Sequence, residues 1–488
     1  MFKRKTTAFL AVIMGLMLVF AACVPGCERL GVEKWFVTYT SNMVGASDLS
    51  TLVCTAEMGK TTSVTVTPNV GYRFTGWSDG VATLSRTDDS SVAGQTLTAQ
   101  FELDFLNLPV IYIETENRSW PTGKEEYVPC AVSMLNVEEE VAFSELAAGI
   151  RLRGNNSMTY PKKPYRIKFD KKTSPFGWEE NKSWVLLALY LDPSCIKDFA
   201  AFQFAEAVGT DAFVPNARHV ELYVNGSYLG LYLFTDQVDE NEGRTSVKSE
   251  FDETAAEIPF LVEWDEYAPT EGEEGVDWFK IENEDGVTSY YTVKYPEADE
   301  RYSDGQFAYV QSYVTKVNEL CHATETTQAD FEEYVDLKAF LDYYLVQELM
   351  AQGEINWKSI NMSKAADGKL VMGPLWDYDC AAGGPVLKEG DGMVNYDCWL
   401  SSTNWFAYML QKAWFSSAAR ARWEEMKPAL RSVLEYLADY KATLALAAKR
   451  SAGKWDRWTE GVSAFESYYD WVVESLWRRI DAMDELLA

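Results

Sequence analysis

Apolar and polar residues alternate through residues 34–103, in the runs WFVTYT, SVTVTP, YRFTGW and LTAQFE. A period of two, broken by Gly, Asn and Asp turns, predicts short antiparallel strands. From residue 106 the pattern changes. PVIYIET, AGIRLRG, PYRIKF, SWVLLALY, HVELYVNG and YLGLYLFT are rich in β-branched and aromatic residues and read as strands. Between them, residues 198–208 (DFAAFQFAEAV) space their apolar positions as a helix does. Asn225-Gly226 stands between two apolar runs, a strong two-residue hairpin signal. Residues 240–257 and 269–276 are acidic and turn-rich and read as surface loops. Residues 329–350 predict one long helix, and residues 399–488, dominated by Ala, Leu, Glu, Lys and Arg, are mostly helical. The pattern is that of an α+β chain: a small β-rich module at 34–103, then a large mixed domain at 106–488 whose last part, from about 399, is helical.

Before these elements, Lys3, Arg4 and Lys5 precede the apolar run TTAFLAVIMGLMLVFAA. A basic start and an apolar stretch too short for a good membrane span predict an export signal over residues 1–22. Ala21-Ala22-Cys23 resembles a bacterial lipobox, in which Cys23 carries a lipid and becomes the new N-terminus. Phe20 replaces the usual Leu, so plain cleavage near Ala22 is the alternative. The expectation is an extracytoplasmic, cell-surface body held to the membrane only by an N-terminal lipid, or otherwise secreted. The eight cysteines are widely spaced, with no CxxC, which argues against structural zinc. Cys380 and Cys398 are a candidate disulfide, against the alternative of buried reduced thiols.

Composition narrows the function. A chain of 488 residues with 47% apolar and 14% aromatic residues buries a large core, which excludes disorder as its main state. Its 44 basic and 74 acidic residues give a net charge of −30, which argues against a nucleic-acid partner. His219 and His322 are the only two histidines and lie far apart in sequence, so a clustered histidine metal site is excluded.

Two segments carry candidate chemistry. IRLRGNNSMTYPKKPYRIKF concentrates Arg151, Arg153, Lys162, Lys163, Arg166 and Lys168 in an otherwise acidic chain. Such a cluster suits an anion, and the turn Gly154-Asn155-Asn156-Ser157 could present backbone N–H groups to phosphate oxygens. The alternative is a strand pair whose cations meet surface carboxylates. GKLVMGPLWDYDCAAGG alternates Asp377 and Asp379 with Trp376 and Tyr378 at the end of an apolar strand. Alternation predicts both carboxylates on one face, where two hard oxygen donors suit Mg²⁺, Mn²⁺ or Ca²⁺; solvated turn residues are the alternative. Glu348, Glu354 and Asn356 lie upstream and could complete an acidic, metal-facing site. A basic strand-turn-strand and an acidic strand-end are the minimal equipment for phosphoryl transfer, although no GxxxxGK[ST], HRD or DFG motif is present.

These segments resemble the CotH-type (spore coat protein H) atypical kinase family. RLRGNNSMTYPKKPYRIKF, KSWVLLALYLDPSCIKDFAAFQFAEAVG, HVELYVNGSYLGLYLFTDQVDENEGR and GKLVMGPLWDYDCAAGG are similar to its motifs, in the same order, and ARARWEEM is similar to its R-W motif. The run GYRFTGWSDG followed by AQF resembles divergent bacterial surface repeats of the internalin B-repeat type. The resemblance implies a two-lobed kinase-like fold with ATP in the cleft, Mg or Mn as the metal, and transfer of the γ-phosphoryl to a protein Ser or Thr, or to another hydroxyl such as that of a surface polymer. It implies Asp377 as metal ligand with Asp379 as its neighbour, Lys163, Arg166 or Lys168 as the phosphate-facing cation, and residues 234–238 as the hinge beside the adenine. Glu354 stands where the family places an Asp, and Gln352 where it places an Asn. One extra methylene at Glu354 shifts the carboxylate by roughly an ångström, which bears on in-line geometry. The rival reading is a catalytically inactive kinase-like surface protein that binds a protein partner or polysaccharide, with Trp414, Trp423, Trp455, Trp458, Trp471 and Trp477 lining a sugar-stacking groove or, alternatively, packing the helices.

Overall fold

The computed structural model describes residues 32–106, 108–135, 141–283, 286–300, 303–352, 358–383, 404–455 and 462–488. Cys23, Glu354, Asn356, Cys398 and Trp458 therefore lie outside the described residues, as does the 1–22 segment. The chain divides into two compact units, a smaller one built largely on the first six strands and a larger one that holds the later strands and the helices.

The smaller unit contains β1 (Lys34–Ser41), β2 (Leu52–Glu57), β3 (Thr62–Thr65), β5 (Ser85–Asp88) and most of β4 (Tyr72–Trp77) and β6 (Thr96–Leu103). Four of them form a sheet in the order β2-β1-β6-β4, and β3 pairs with β5. The inward alternation is as expected, with Trp35, Val37 and Tyr39 buried on β1 and Trp77 beside them, but the pairing is not purely antiparallel: β1 runs parallel to β6. Arg86 is buried between Asp79 and Asp88, at 2.7 Å from each, and its guanidinium lies 4.9 Å from the Trp77 ring centroid.

The larger unit opens with a closed barrel. Its strands are β7 (Val110–Thr115), β8 (Val128–Leu135), β9 (Val141–Leu152), β10 (Tyr165–Thr173), β11 (Asn181–Leu187), β12 (Ala217–Val224) and β13 (Ser227–Asp236), in the order β10-β11-β13-β12-β7-β8-β9. Asn225 and Gly226 join β12 to β13 with φ of 52° and 77°. Both central residues of a tight hairpin need positive φ, and Asn-Gly supplies them at low cost. Helix α1 (Lys197–Val208) is inserted between β11 and β12 and ends at Gly209, whose φ is 63°.

After the barrel, β14 (Phe260–Trp264), β15 (Trp278–Glu282) and β16 (Thr288–Tyr295) join β17 (Ile360–Lys364) and β18 (Leu370–Met372) in a sheet ordered β15-β16-β14-β17-β18. Helices α2 (Asp304–His322), α3 (Gln328–Tyr334) and α4 (Leu337–Met350) lie between β16 and β17 in sequence; α5 (Asn404–Met409), α6 (Ala413–Lys454) and α7 (Val462–Leu486) close the chain. The single helix expected at 329–350 is two. Val335 takes an extended conformation and bridges Leu370, and Asp336 then caps α4, its carboxylate accepting the Ala339 N–H at 2.9 Å. Every residue of α4 from Ala339 to Met350 is buried, so this helix is central rather than amphipathic. Two buried ion pairs join it to the last helices: Asp342 with Arg422 of α6 at 2.6 Å, and Glu348 with Arg479 of α7 at 3.0 Å. Trp423 is buried, and Trp414, Trp471 and Trp477 pack on the same core. The Trp455 indole N–H is bonded to the Leu229 carbonyl at 2.7 Å. Trp414, Trp423, Trp471 and Trp477 thus pack the helical core, whereas Trp455 packs against the barrel.

Candidate functional site

The site grows from three pieces of backbone in the larger unit. Strand β10 alternates, with Tyr165, Ile167 and Phe169 buried in the barrel interior. Arg166 and Lys168 must therefore point the other way, out of the barrel. Strand β9 ends at Leu152, and Arg153 begins the turn that follows. The third piece is the loop after β18. There the chain leaves the sheet at Gly373, and Asp377 takes φ of 68°. The strand-like alternation expected for residues 376–379 is absent: Trp376, Asp377 and Asp379 all face one cleft, while Tyr378 is fully buried. Cross-bonds override the alternation. Asp198 accepts the Tyr378 N–H at 2.9 Å, and the buried Gln352 amide donates to the Asp377 carbonyl.

The cleft has a volume of about 910 Å³. Arg153, Arg166 and Lys168 line it, together with Asp377 and Asp379. Arg151 and Lys163 do not. The Arg151 guanidinium stacks 4.7 Å from the Tyr127 ring centroid and donates to the Lys124 carbonyl. The Lys163 ammonium turns back onto the Met158 carbonyl at 2.8 Å. Of the expected hinge, Gln237 and Val238 line the cleft, whereas Phe234 faces the barrel interior.

Burial holds the Arg153 guanidinium below its ordinary value, and the Asp377 carboxylate pulls it back up. Its cation also lies 5.5 Å from the Trp376 ring centroid. Burial likewise lowers Arg166, whose Nη2 donates to the Ser183 hydroxyl at 3.2 Å while its buried Nε has no partner among the described residues. Opposite them, the Ser359 hydroxyl donates to Asp377 Oδ2 at 3.1 Å. Glu263 and Lys294 pair at 2.6 Å on the neighbouring sheet, and that carboxylate raises the lysine. Burial pushes Asp265 up to about 6.

Sequence reasoning missed three residues here. Asp198, at the start of α1, is 5% exposed, and burial pushes it up to about 7. A lone Asp opening an apolar helix was the available signal. Ser359 and Asn361, just before and on β17, face the cleft itself. Nothing in their spacing marks them.

The donor set suits a hard cation. Asp377 and Asp379 offer carboxylate oxygens, with a hydroxyl from Ser359 beside them. Among the described residues no three His, Cys, Asp or Glu side chains gather as a ready-made cage. Two carboxylates with the other positions left to water and phosphate is the way Mg²⁺ is usually held.

Fold and cleft together define a mixed α+β protein with an N-terminal β-rich module, a cleft carrying opposed basic and acidic walls, and C-terminal helices. Residues 150–483 match the CotH kinase protein family, and the chain belongs to it. Residues 38–104 match the divergent InlB B-repeat domain. No curated protein matches the chain. Among solved structures it is similar to the Helicobacter pylori proinflammatory kinase CtkA, at 10% identity over 63% of this chain and 94% of that one, with a TM-score of 0.27. It is also similar to Shewanella oneidensis HipA, of a toxin–antitoxin system solved with HipB and operator DNA. That match has 13% identity over 62% of this chain and 66% of that one, with a TM-score of 0.26.

Proposed function

We propose that the chain is an exported, CotH-type kinase that transfers the γ-phosphoryl group of ATP to a Ser, Thr or other hydroxyl of a protein or surface polymer. Membership of the CotH kinase protein family supports the reaction class. The observation that carries the site is the single cleft lined by Arg153, Arg166, Lys168, Asp377 and Asp379. In this reading the barrel and the helix-rich remainder are two lobes with the nucleotide between them, and Gln237 and Val238 border the adenine. The domain limits are 1–22 for the signal, 34–103 for the spacer and 106–488 for the kinase.

Arg153, Arg166 and Lys168 face the phosphates. Arg166 suits this best, because its buried, unpartnered Nε lacks the acceptor that a phosphate oxygen supplies. Arg151 and Lys163 shape the strand and the turn behind them. Asp377 and Asp379 would hold Mg or Mn, which neutralises charge on the transferring group when bound. Glu354 would orient the acceptor hydroxyl. The InlB-type repeat supports a surface location, and no helix among the described residues is long and apolar enough to cross a membrane. Lipidation of Cys23 belongs to the same reading.

Transfer of label from γ-radiolabelled ATP in the presence of Mn²⁺ tests the reaction. Label should appear on the protein itself or on an added cell-envelope extract, and should vanish in Asp377→Asn. Equal labelling by that variant would contradict the assignment.

A further inference from the structure

Asp377 is a non-glycine residue in the left-handed region. Such a conformation is strained and persists only where its surroundings over-determine it. Four bonds do so. Two come from near its own strand and helix: the Gln352 amide on the Asp377 carbonyl and the Ser359 hydroxyl on its carboxylate. The other two come from the first turn of α1, far away in sequence. Asp198 Oδ1 accepts the Tyr378 N–H at 2.9 Å, and the Lys197 ammonium donates to the Asp379 carbonyl at 3.3 Å. Lys197 and Asp198 are 2% and 5% exposed, so water does not compete for these bonds.

The first turn of α1 is itself fixed. Asp192, fully buried, accepts the Lys197 N–H at 3.0 Å and the Ser194 N–H at 3.0 Å through its two carboxylate oxygens. The α1 start is thus a clamp whose two adjacent side chains bond the loop at the Tyr378 N–H and the Asp379 carbonyl. Burial disfavours the Asp198 charge and Asp377 repels it, while Arg153 attracts it. What the geometry uses is a short side chain with an acceptor oxygen.

We propose that Lys197 and Asp198 are positioning residues: they act through the backbone of Tyr378 and Asp379 to aim the two cleft carboxylates, and so couple the placement of helix α1 to metal–nucleotide affinity. This rests on the nucleotide-binding reading of the cleft, and its test is built so that the two can fail separately. Hydrogen–deuterium exchange of the full chain without ligand reads the clamp directly. In Asp198→Ala the Tyr378 amide should exchange about ten-fold faster, the loss of one hydrogen bond. Asp198→Asn keeps the acceptor and should restore protection. Lys197→Met, which cuts the second bond, should loosen residues 375–381 as well. The second readout is Mn²⁺-ATP titration: Asp198→Ala should weaken binding several-fold with the asparagine variant rescued, a pattern that a general loss of stability does not produce. Unchanged exchange in Asp198→Ala, or no rescue by Asn, overturns the proposal. If the unmodified protein binds no Mn²⁺-ATP, the kinase reading fails, and the exchange arm still decides the clamp.

Discussion

Lys162 offers a test of the electrostatics that does not depend on function. Its side chain is 4% exposed. The ammonium donates to the Leu231 carbonyl and to the Ser451 hydroxyl at 3.2 Å, and lies 4.5 Å from the Tyr232 ring centroid. Burial pulls it down from 10.5 to about 7. Because the folded value is depressed, the cost of the charge is fully present below pH ~7 and disappears as pH rises towards the unfolded value. A shift of that size corresponds to an upper bound of about 5 kcal/mol. Lys162→Met removes the charge but leaves the Leu231 carbonyl and Ser451 without their donor, at about 1–3 kcal/mol. The net expectation is a variant more stable than the parent by about 2 kcal/mol at pH 6, with the gap closing by pH 9. Urea unfolding of both proteins at pH 6, 7.5 and 9 measures it. A difference that stays constant across that range would show that Lys162 keeps its proton, and the burial argument would be refuted.

Other outcomes rest on the same geometry. Asp342→Ala removes one carboxylate from the buried Arg422, which keeps Glu425 and the Val208 carbonyl, and should cost about 1.5–3 kcal/mol in urea unfolding, the worth of a hydrogen bond to a charged group. Gly209→Ala forces a Cβ into φ of 63° with open space around it, so it should cost about 1 kcal/mol through backbone strain alone. Buried His219 is held down to about 4, so the unfolded chain takes up a proton that the fold refuses. Stability should fall as pH drops from about 6.5 towards 4, and His219→Gln should flatten that limb of the melting curve.

Strands β1, β3, β4, β6, β7 and β9 to β13, helix α1 and the Asn225-Gly226 hairpin were legible in the sequence because each rests on a local rule: period two, period three-to-four, or turn chemistry; β2, β5, β8 and β14 to β17 were not read. The break at Val335 was not, because it depends on a bridge to Leu370 that no local pattern announces. At the site, Arg166 and Lys168 were readable as one face of a strand. Arg151 has the right spacing but stacks on Tyr127, a partner set by the tertiary fold. The carboxylate loop was found for an incomplete reason. Alternation was expected to aim Asp377 and Asp379 together, whereas a left-handed Asp377 held by Asp198, Gln352 and Ser359 places them. Those partners come from elsewhere in the chain, and only folding brings them together.

The central claim is that opposed basic and acidic walls of one cleft bind a metal–nucleotide complex. Calorimetric titration of Mn²⁺-ATP into the unmodified protein and into Asp377→Asn, with melting of both ligand-free proteins as control, tests it most directly. The account predicts binding to the unmodified protein, at least a ten-fold loss in the variant, and similar ligand-free melting, because the amide keeps the shape of the carboxylate but is a weaker ligand for a hard cation. Equal binding by the two proteins, or no binding by either, would contradict it.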